Sequence, residues 1–438
     1  MGKHTASAQL QVALDFIDWD RAERAAKAAV AGGATILEAG TPLIKSEGLD
    51  VVRRLRKMFP KLTIVADMKT MDAGRIETEC AGKAGADVMV VLAAASDVTL
   101  RECVEAGKTY SIRIAADLIG VEDPVGRARQ LEEMGVAEIG VHTAIDEQMS
   151  PDAAAPDPFA RLRQVRRAVS IPVAVAGGIN SETAVQAVEA GADIVIVGGA
   201  ITKAKDPKRA TEVFLRALRT GKSVRTELYK RVTAENIREA LEKVSTANLS
   251  DGSHHAPSIS GLMPLLPGSK MVGPAVTVWT YPGDWAKPVE AIDEAEPGSV
   301  IVIDAGARTP AVWGELATHS AVQKRLAGVM IEGAIRDTSE IRAMKFPAFA
   351  RMVASHAGEP KGLGHINVPV VIGGVNIEPG DWIVGDDDGI MVLPKARSVE
   401  MANRGMDCLE RENRIRQEIE EGKTTLGQVT DLLRWEKK

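Results

Sequence analysis

The chain has 438 residues, of which 45% are hydrophobic and 26% charged, so two domains are expected. Its net charge of -6 argues against a nucleic-acid-binding surface, and the lack of a long apolar run argues against a membrane span. Three cysteines without metal-type spacing (Cys80, Cys103, Cys408) and no signal-like N-terminus predict a cytoplasmic protein without disulfides.

One pattern recurs through residues 1–215: a short apolar strand, a helix that ends near Gly, and then the next strand. Strands are predicted to begin near Gln9, Ala34, Thr63, Val88, Ile112, Glu138, Ile171 and Asp193. Eight such βα units predict an α/β fold of the (β/α)₈ barrel type. The longest interval follows the sixth strand, where residues 146–158 are predicted to form an extended loop at the active-site end.

The pattern changes after the barrel. Residues 216–235 are charged and are predicted to form a helical connector to a second domain, residues 236–438. Strand-like runs separated by Pro-Gly turns predict a compact α/β layer structure there, at Met271–Thr280, Ser299–Asp304 and Val368–Ile372. The charged tail from Ser398 is predicted to be a helical arm that packs on this domain.

Charged or titratable side chains stand at the ends of the predicted barrel strands, where catalytic groups of this fold lie. They are Asp15, Glu38, Asp67, Lys69, Asp117 and His142. Any one of them could be an ordinary solvated charge or helix cap, but their recurrence favours a site. Asp67 and Lys69 are two residues apart and therefore share a face of the strand. Glu38 and Asp67 offer the oxygen ligands that a hard divalent cation prefers.

Two glycine pairs follow the last two predicted strands, Gly177-Gly178 and Gly198-Gly199. Each pair alone could be a tight turn. At these two positions of a barrel, however, bare backbone N–H groups can bind a phosphate group, so a phosphorylated substrate is predicted.

The motif Asp67-x-Lys69-x-x-Asp72 and its surroundings resemble the orotidine-monophosphate-decarboxylase superfamily over residues 8–215. Within it, the chain is most similar to the branch of hexulose-6-phosphate synthases and ketogulonate-6-phosphate decarboxylases. The decarboxylases carry arginines where this chain has Ile145 and Gly199, and the Asp at position 117 in place of Glu also favours the synthase. Ketogulonate-phosphate decarboxylation remains the alternative.

The resemblance implies an aldol reaction between formaldehyde and ribulose 5-phosphate, or its reverse. It implies that Glu38 and Asp67 hold Mg²⁺, with Mn²⁺ as an alternative, and that Lys69 places positive charge near an enediolate. His142 is assigned the proton transfer, and Asp15 and Asp117 belong to the same catalytic group. The resemblance further implies a dimer in which Asp72 reaches the neighbouring subunit's site.

The C-terminal half carries Gly314-Glu315-Leu316-Ala317 and, further on, the adjacent pair Arg336-Asp337. An isolated Arg-Asp pair is more often a surface ion pair, but the surrounding segments resemble the RraA-like family over about residues 235–435. That family implies a sandwich like the swivelling domains, assembled as a trimer or hexamer. In its aldolases the Arg binds a pyruvyl carboxylate and the Asp anchors Mg²⁺, but Glu315 replaces their usual Asp. A non-catalytic regulatory or assembly domain is the alternative.

The adjacent pair His254-His255 is the other feature of this half that suggests a metal. Because the side chains of neighbouring residues diverge, we expect a solvated loop there in place of a metal site.

Overall fold

The structure is a computed structural model that describes residues 8–144, 157–225 and 232–430. The described residues form two compact units, 8–144 with 157–225, and 232–430. Ile145 and most of the predicted loop at 146–158 lie outside the described residues. In the described part of the predicted connector, a barrel helix ends at Thr220 and residues 221–225 have no regular structure.

Eight parallel strands close into a barrel in the first unit, since each strand pairs with the next and the eighth pairs with the first. This confirms the predicted (β/α)₈ fold, with every strand starting within two residues of its predicted position. The strands are β1 (Gln9–Leu14), β2 (Ile36–Ala39), β3 (Thr63–Thr70), β4 (Val88–Leu92), β5 (Arg113–Asp117), β6 (Glu138–His142), β7 (Val173–Ala176) and β8 (Ile194–Val197).

Helices rich in buried alanine cover the barrel, which explains how the chain builds this core with few aromatic residues. In the first helix, Asp18 caps the N-terminus by accepting a hydrogen bond from the backbone N–H of Arg21. The described helices of this unit are α1 (Trp19–Ala31), α2 (Thr41–Glu47), α3 (Asp50–Met58), α4 (Gly74–Ala84), α5 (Asp97–Tyr110), α6 (Pro124–Met134), α7 (Ala160–Ala168), α8 (Thr183–Glu189), α9 (Gly199–Thr202) and α10 (Pro207–Thr220).

The second unit is built on a mixed sheet. Its strands are β9 (Met263–Pro264), β10 (Met271–Thr280), β11 (Val300–Asp304), β12 (Ala311–Trp313), β13 (Gly328–Ile335), β14 (Ala348–Val353), β15 (Gly364–Ile366), β16 (Val370–Ile372), β17 (Val375–Ile377), β18 (Trp382–Asp386) and β19 (Gly389–Leu393). The strand order is β19-β18-β10-β11-β13-β14-β9; β12 also pairs with β13, β15 pairs with β10, and β16 pairs with β17. All eight residues of β13 are buried, as expected for a central parallel strand. The predicted α/β architecture of this half is therefore confirmed.

Helices complete this unit, and the last long one is the predicted arm. Its N-terminal half is buried, and Asn403 there accepts a hydrogen bond from the backbone N–H of Val232. The described helices are α11 (Ile237–Lys243), α12 (Thr246–Gly252), α13 (Ala286–Glu294), α14 (Glu315–Gln323), α15 (Thr338–Ala343), a 3₁₀ turn (Lys395–Arg397), α16 (Ser398–Gly422) and α17 (Leu426–Thr430). Among the described helices, none has the length and apolarity needed to cross a membrane.

Candidate active site

Three carboxylates meet at the carboxyl ends of the first three barrel strands. Asp15 directly follows β1, and Gly40 and Gly198 approach it closely from either side. A Cβ atom at Gly40 would collide with Asp15 Oδ1, and one at Gly198 would lie 3.0 Å from Oδ2. The residue keeps an exposed surface, but the protein atoms around its carboxyl group desolvate it and raise its pKa, and the charge of Asp67 adds to this effect. The two glycines therefore leave the space in which this carboxylate fits.

Glu38 lies in β2 and is buried, with Gln11 donating a hydrogen bond to its Oε2 atom. Burial raises the pKa of Glu38 well above its usual value, and the nearby carboxylates of Asp67 and Asp15 raise it further. Three neighbouring carboxylates repel one another and destabilise the site unless a cation binds there or one of the carboxylates takes up a proton.

Asp67, in β3, is the central member of this group. Its Oδ2 atom accepts hydrogen bonds from Lys69 Nζ and Thr41 Oγ1, each at 2.8 Å. Its Oδ1 atom is buried and has no hydrogen-bond partner among the described residues. An unpaired buried carboxylate oxygen beside the buried Glu38 carboxylate fits the oxygen ligand set of a hard divalent cation.

Lys69 reaches the site because β3 is irregular at this point. The pairing of β3 with β4 shifts between Ala66 and Thr70, and Lys69 has a φ of 46°. The Nζ atom consequently lies 2.8 Å from Asp67 Oδ2 and 3.3 Å from Asp117 Oδ2. Burial works to lower the pKa of Lys69, but the charges of Asp67 and Asp117 outweigh it and raise the pKa. The ammonium therefore stays charged.

His142 ends β6 and faces Asp117, with Nδ1 2.9 Å from Asp117 Oδ2. Burial alone would raise the pKa of Asp117, but the hydrogen bond and charge of His142, the charge of Lys69 and the backbone N–H of Ile119 lower it below its usual value. An ionised Asp117 keeps the proton of a neutral imidazole on Nδ1, which leaves Nε2 to exchange a proton with a bound molecule.

The structure thus brings together six of the residues singled out from the sequence, namely Asp15, Glu38, Asp67, Lys69, Asp117 and His142. Gln11 and Thr41 also belong to the site but were not predicted. Gln11 could have been found as a polar residue that interrupts the apolar run Leu10–Leu14, on the same strand face as Ala13. Thr41 stands three residues after Glu38, but only the fold shows that it contacts Asp67.

The remaining barrel candidates lie around this group. Gly177 and Gly178 follow β7 with φ angles of 98° and 67°, and Gly198 and Gly199 follow β8, where Gly198 packs against Asp15. Asp72 lies apart, in an exposed position, and accepts a hydrogen bond from the backbone N–H of Ala73 at 2.7 Å. Its predicted role at a neighbouring subunit's site stays a prediction.

In the second unit, the two predicted segments meet where β13 ends and α14 begins. Asp337 Oδ2 accepts a hydrogen bond from the backbone N–H of Glu315 at 3.1 Å and lies 3.4 Å from Arg336 Nε. Asp337 has a φ of 56°, and a Cβ atom at Gly314 would lie 2.5 Å from its Oδ2. Both charged side chains are more than a third exposed, so a small ligand has access to them.

The other two residues of this motif differ in exposure, since Leu316 is 79% exposed and Ala317 packs partly against the core of the unit. His254 and His255 are both exposed, and Nδ1 of His255 lies 3.1 Å from Asp251 Oδ1. This exposure agrees with a solvated loop.

Comparison with known proteins identifies both halves. Residues 8–214 match the sequence profile of the orotidine 5'-phosphate decarboxylase / HUMPS family. The chain is 38% identical over 211 residues to the 3-hexulose-6-phosphate synthase of Mycobacterium gastri, covering 48% of this chain and 99% of that protein. The 3-hexulose-6-phosphate synthase of Methylomonas aminofaciens is 41% identical over 201 residues, 46% of this chain and 94% of the other. The chain belongs to the 3-hexulose-6-phosphate synthase family.

The barrel half of the chain is accordingly that of an aldolase-type enzyme. A crystal structure of 3-hexulose-6-phosphate synthase is 37% identical and covers 48% of this chain and 99% of that chain, with a TM-score of 0.45. Residues 246–392 match the RraA-like family profile, described as Aldolase/RraA. The RNA-processing inhibitor RraA from Thermus thermophilis is 26% identical and covers 35% of this chain and 94% of that chain, with a TM-score of 0.33. The predicted fusion of two domains is confirmed.

Proposed function

We propose that the barrel catalyses the aldol condensation of formaldehyde with ribulose 5-phosphate to a hexulose 6-phosphate, or the reverse cleavage, with bound Mg²⁺. The observation that carries this proposal is the buried Oδ1 atom of Asp67, which has no hydrogen-bond partner among the described residues and lies in a group with Glu38 and Lys69. Membership of the synthase family supports the same reaction.

Glu38 and Asp67 are the residues that would hold the metal. When bound, Mg²⁺ supplies Lewis-acid stabilisation to the oxygen atoms of an enediolate, and Mn²⁺ can supply the same chemistry. Lys69 adds a fixed positive charge beside these oxygens, in a buried site where charge is weakly screened. The Asp15 carboxylate lies against Gly40 and Gly198 and adds a third acidic group to the site.

His142 is the group that moves the proton. In the condensation, its Nε2 removes the proton from C1 of ribulose 5-phosphate, and Asp117 stabilises the imidazolium that forms. The C1 carbon then bonds to the carbon of formaldehyde, and the former carbonyl oxygen of formaldehyde takes the proton from the His142 imidazolium to become a hydroxyl group, which restores the neutral imidazole. The reverse reaction uses the same groups in the opposite order. The phosphate end of the substrate is assigned to the backbone around Gly177-Gly178 and Gly198-Gly199.

An assay of the full chain with added Mg²⁺ tests this function, using ribulose 5-phosphate with formaldehyde and, in parallel, ketogulonate 6-phosphate. Asp67→Asn should abolish hexulose-phosphate formation while circular dichroism stays unchanged. Asp20→Asn, at an exposed carboxylate of α1, should retain normal activity. Near-normal activity of Asp67→Asn in the presence of EDTA would contradict the metal assignment, and turnover of ketogulonate 6-phosphate alone would favour the decarboxylase.

For the second domain, we propose Mg²⁺-dependent chemistry on a small oxo-acid. Arg336 would bind the carboxylate of the ligand and Asp337 the metal, and both are accessible beside Glu315. If the purified 438-residue chain shows no activity toward oxaloacetate with either Mg²⁺ or Mn²⁺, a regulatory or assembly role would be favoured instead. Assembly through a barrel dimer and a trimer or hexamer of the second domain is part of the proposal, and sedimentation would test it.

A further inference from the structure

The side chain of Lys203 extends over Gly199, next to the candidate active site. Lys203 directly follows α9, four residues after Gly199. A Cβ atom placed on Gly199 would lie 3.1 Å from Cδ and 3.3 Å from Cε of Lys203. The aliphatic part of the lysine therefore occupies the space that a side chain at position 199 would fill.

This position brings the Lys203 ammonium into electrostatic range of the catalytic group. Desolvation of the carboxyl group is the main cause that raises the pKa of Asp15, and the charges of Lys69, His142 and Lys203 oppose that rise. Gly198, adjacent to Gly199, packs against the Asp15 carboxylate. Lys203 therefore lies at the edge of the site on the β8 side.

The Lys203 ammonium also has no ion pair or hydrogen bond within the part of the chain that the structure describes, and the residue is exposed. This contrasts with Lys69, whose ammonium contacts both Asp67 and Asp117. Lys203 is consequently able to bind an incoming anion without first breaking an ion pair.

A substrate phosphate needs such a cation. The site contains four carboxylates, of Asp15, Glu38, Asp67 and Asp117, so its electrostatic potential opposes the approach of a dianion. Lysine is a compact point charge on a flexible stem and suits a phosphate at the edge of a site. We propose that Lys203 binds the phosphate group of the substrate, over Gly198 and Gly199. This inference rests on the proposed function of the barrel in so far as the substrate is a sugar phosphate.

The test is calorimetric titration of the 438-residue chain, in the presence of Mg²⁺, with ribulose 5-phosphate and with inorganic phosphate. Lys203→Met should raise the Kd for both probes roughly tenfold, the size expected when one hydrogen bond to a charged group is lost. Lys205→Met is the matched control, an exposed lysine two residues further along, and its Kd values should stay within about twofold of the unmutated protein. Lys203→Arg should restore most of the affinity. In the activity assay, Lys203→Met should raise KM and leave kcat nearly unchanged.

The outcomes separate this inference from the proposed reaction. Equal Kd values for the unmutated protein and Lys203→Met, or equal losses in Lys203→Met and Lys205→Met, would overturn the role of Lys203. Weakened phosphate binding by Lys203→Met in a protein that shows no aldol activity would support the phosphate contact and refute the proposed reaction. Absence of binding of either probe by the unmutated protein would overturn both.

Discussion

Glu138 provides a stability test of the barrel. It is the first residue of β6 and shares a strand face with His142, four residues further on, so it points into the barrel. Its neighbour in register, Ala115, belongs to a buried apolar cluster with Ile36 and Val65. Burial raises the pKa of Glu138 to about 7 from 4.5; Arg113 opposes this rise and Asp193 adds to it.

The magnitude follows from this pKa. Because the folded state holds the proton more tightly than the unfolded state, stability is lost as the pH rises from about 4.5 to about 7. At about 1.4 kcal/mol per pKa unit, the loss amounts to roughly 3 kcal/mol above pH 7. Glu138→Gln cannot ionise and should not lose this stability. For a domain of this size the melting temperature moves roughly 2–4 °C per kcal/mol.

Scanning calorimetry of both proteins at pH 5 and pH 8 measures the effect. The difference in the melting temperature of the barrel transition, variant minus unmutated protein, should be larger at pH 8 by roughly 6–12 °C. Comparing two pH values cancels any constant packing change caused by the amide. Glu133→Gln, at an exposed glutamate of α6, is the control and should show little dependence on pH. A difference for Glu138→Gln that is the same at both pH values would refute the reasoning.

Three further predictions concern activity. Gly40→Ala should lower the rate of hexulose-phosphate formation by about 10²-fold, because the added methyl group displaces Asp15; a normal rate would show that this placement is unimportant. Ile145→Arg combined with Gly199→Arg should raise the ratio of ketogulonate-phosphate decarboxylation to aldol turnover, and an unchanged ratio in parallel assays would rule out these positions as the discriminators. Asp337→Ala should remove Mg²⁺-dependent oxaloacetate decarboxylation and leave aldol turnover intact, since the two sites belong to separate domains; a parallel loss of both activities would contradict this separation.

Most of the barrel could be predicted because its signals are local. Buried parallel strands are short apolar runs, and a polar residue at the end of such a run indicates a site residue, as it does for Asp117 and His142. Glu138 could not be predicted as a buried group, because its burial depends on parts of the chain that are distant in sequence. A charged residue at the start of a strand usually faces solvent, and only closure of the barrel buries this one.

Sequence patterning by itself determined the two-domain α/β architecture and the set of strand-end groups, because period and spacing are properties of the chain. Only the tertiary structure decided which atoms of those groups meet. The shift in pairing at Lys69, the unpaired Oδ1 of Asp67 and the placement of the Lys203 stem over Gly199 depend on the packing of elements distant in sequence. Such contacts arise from the register and closure of neighbouring strands, which no single segment specifies.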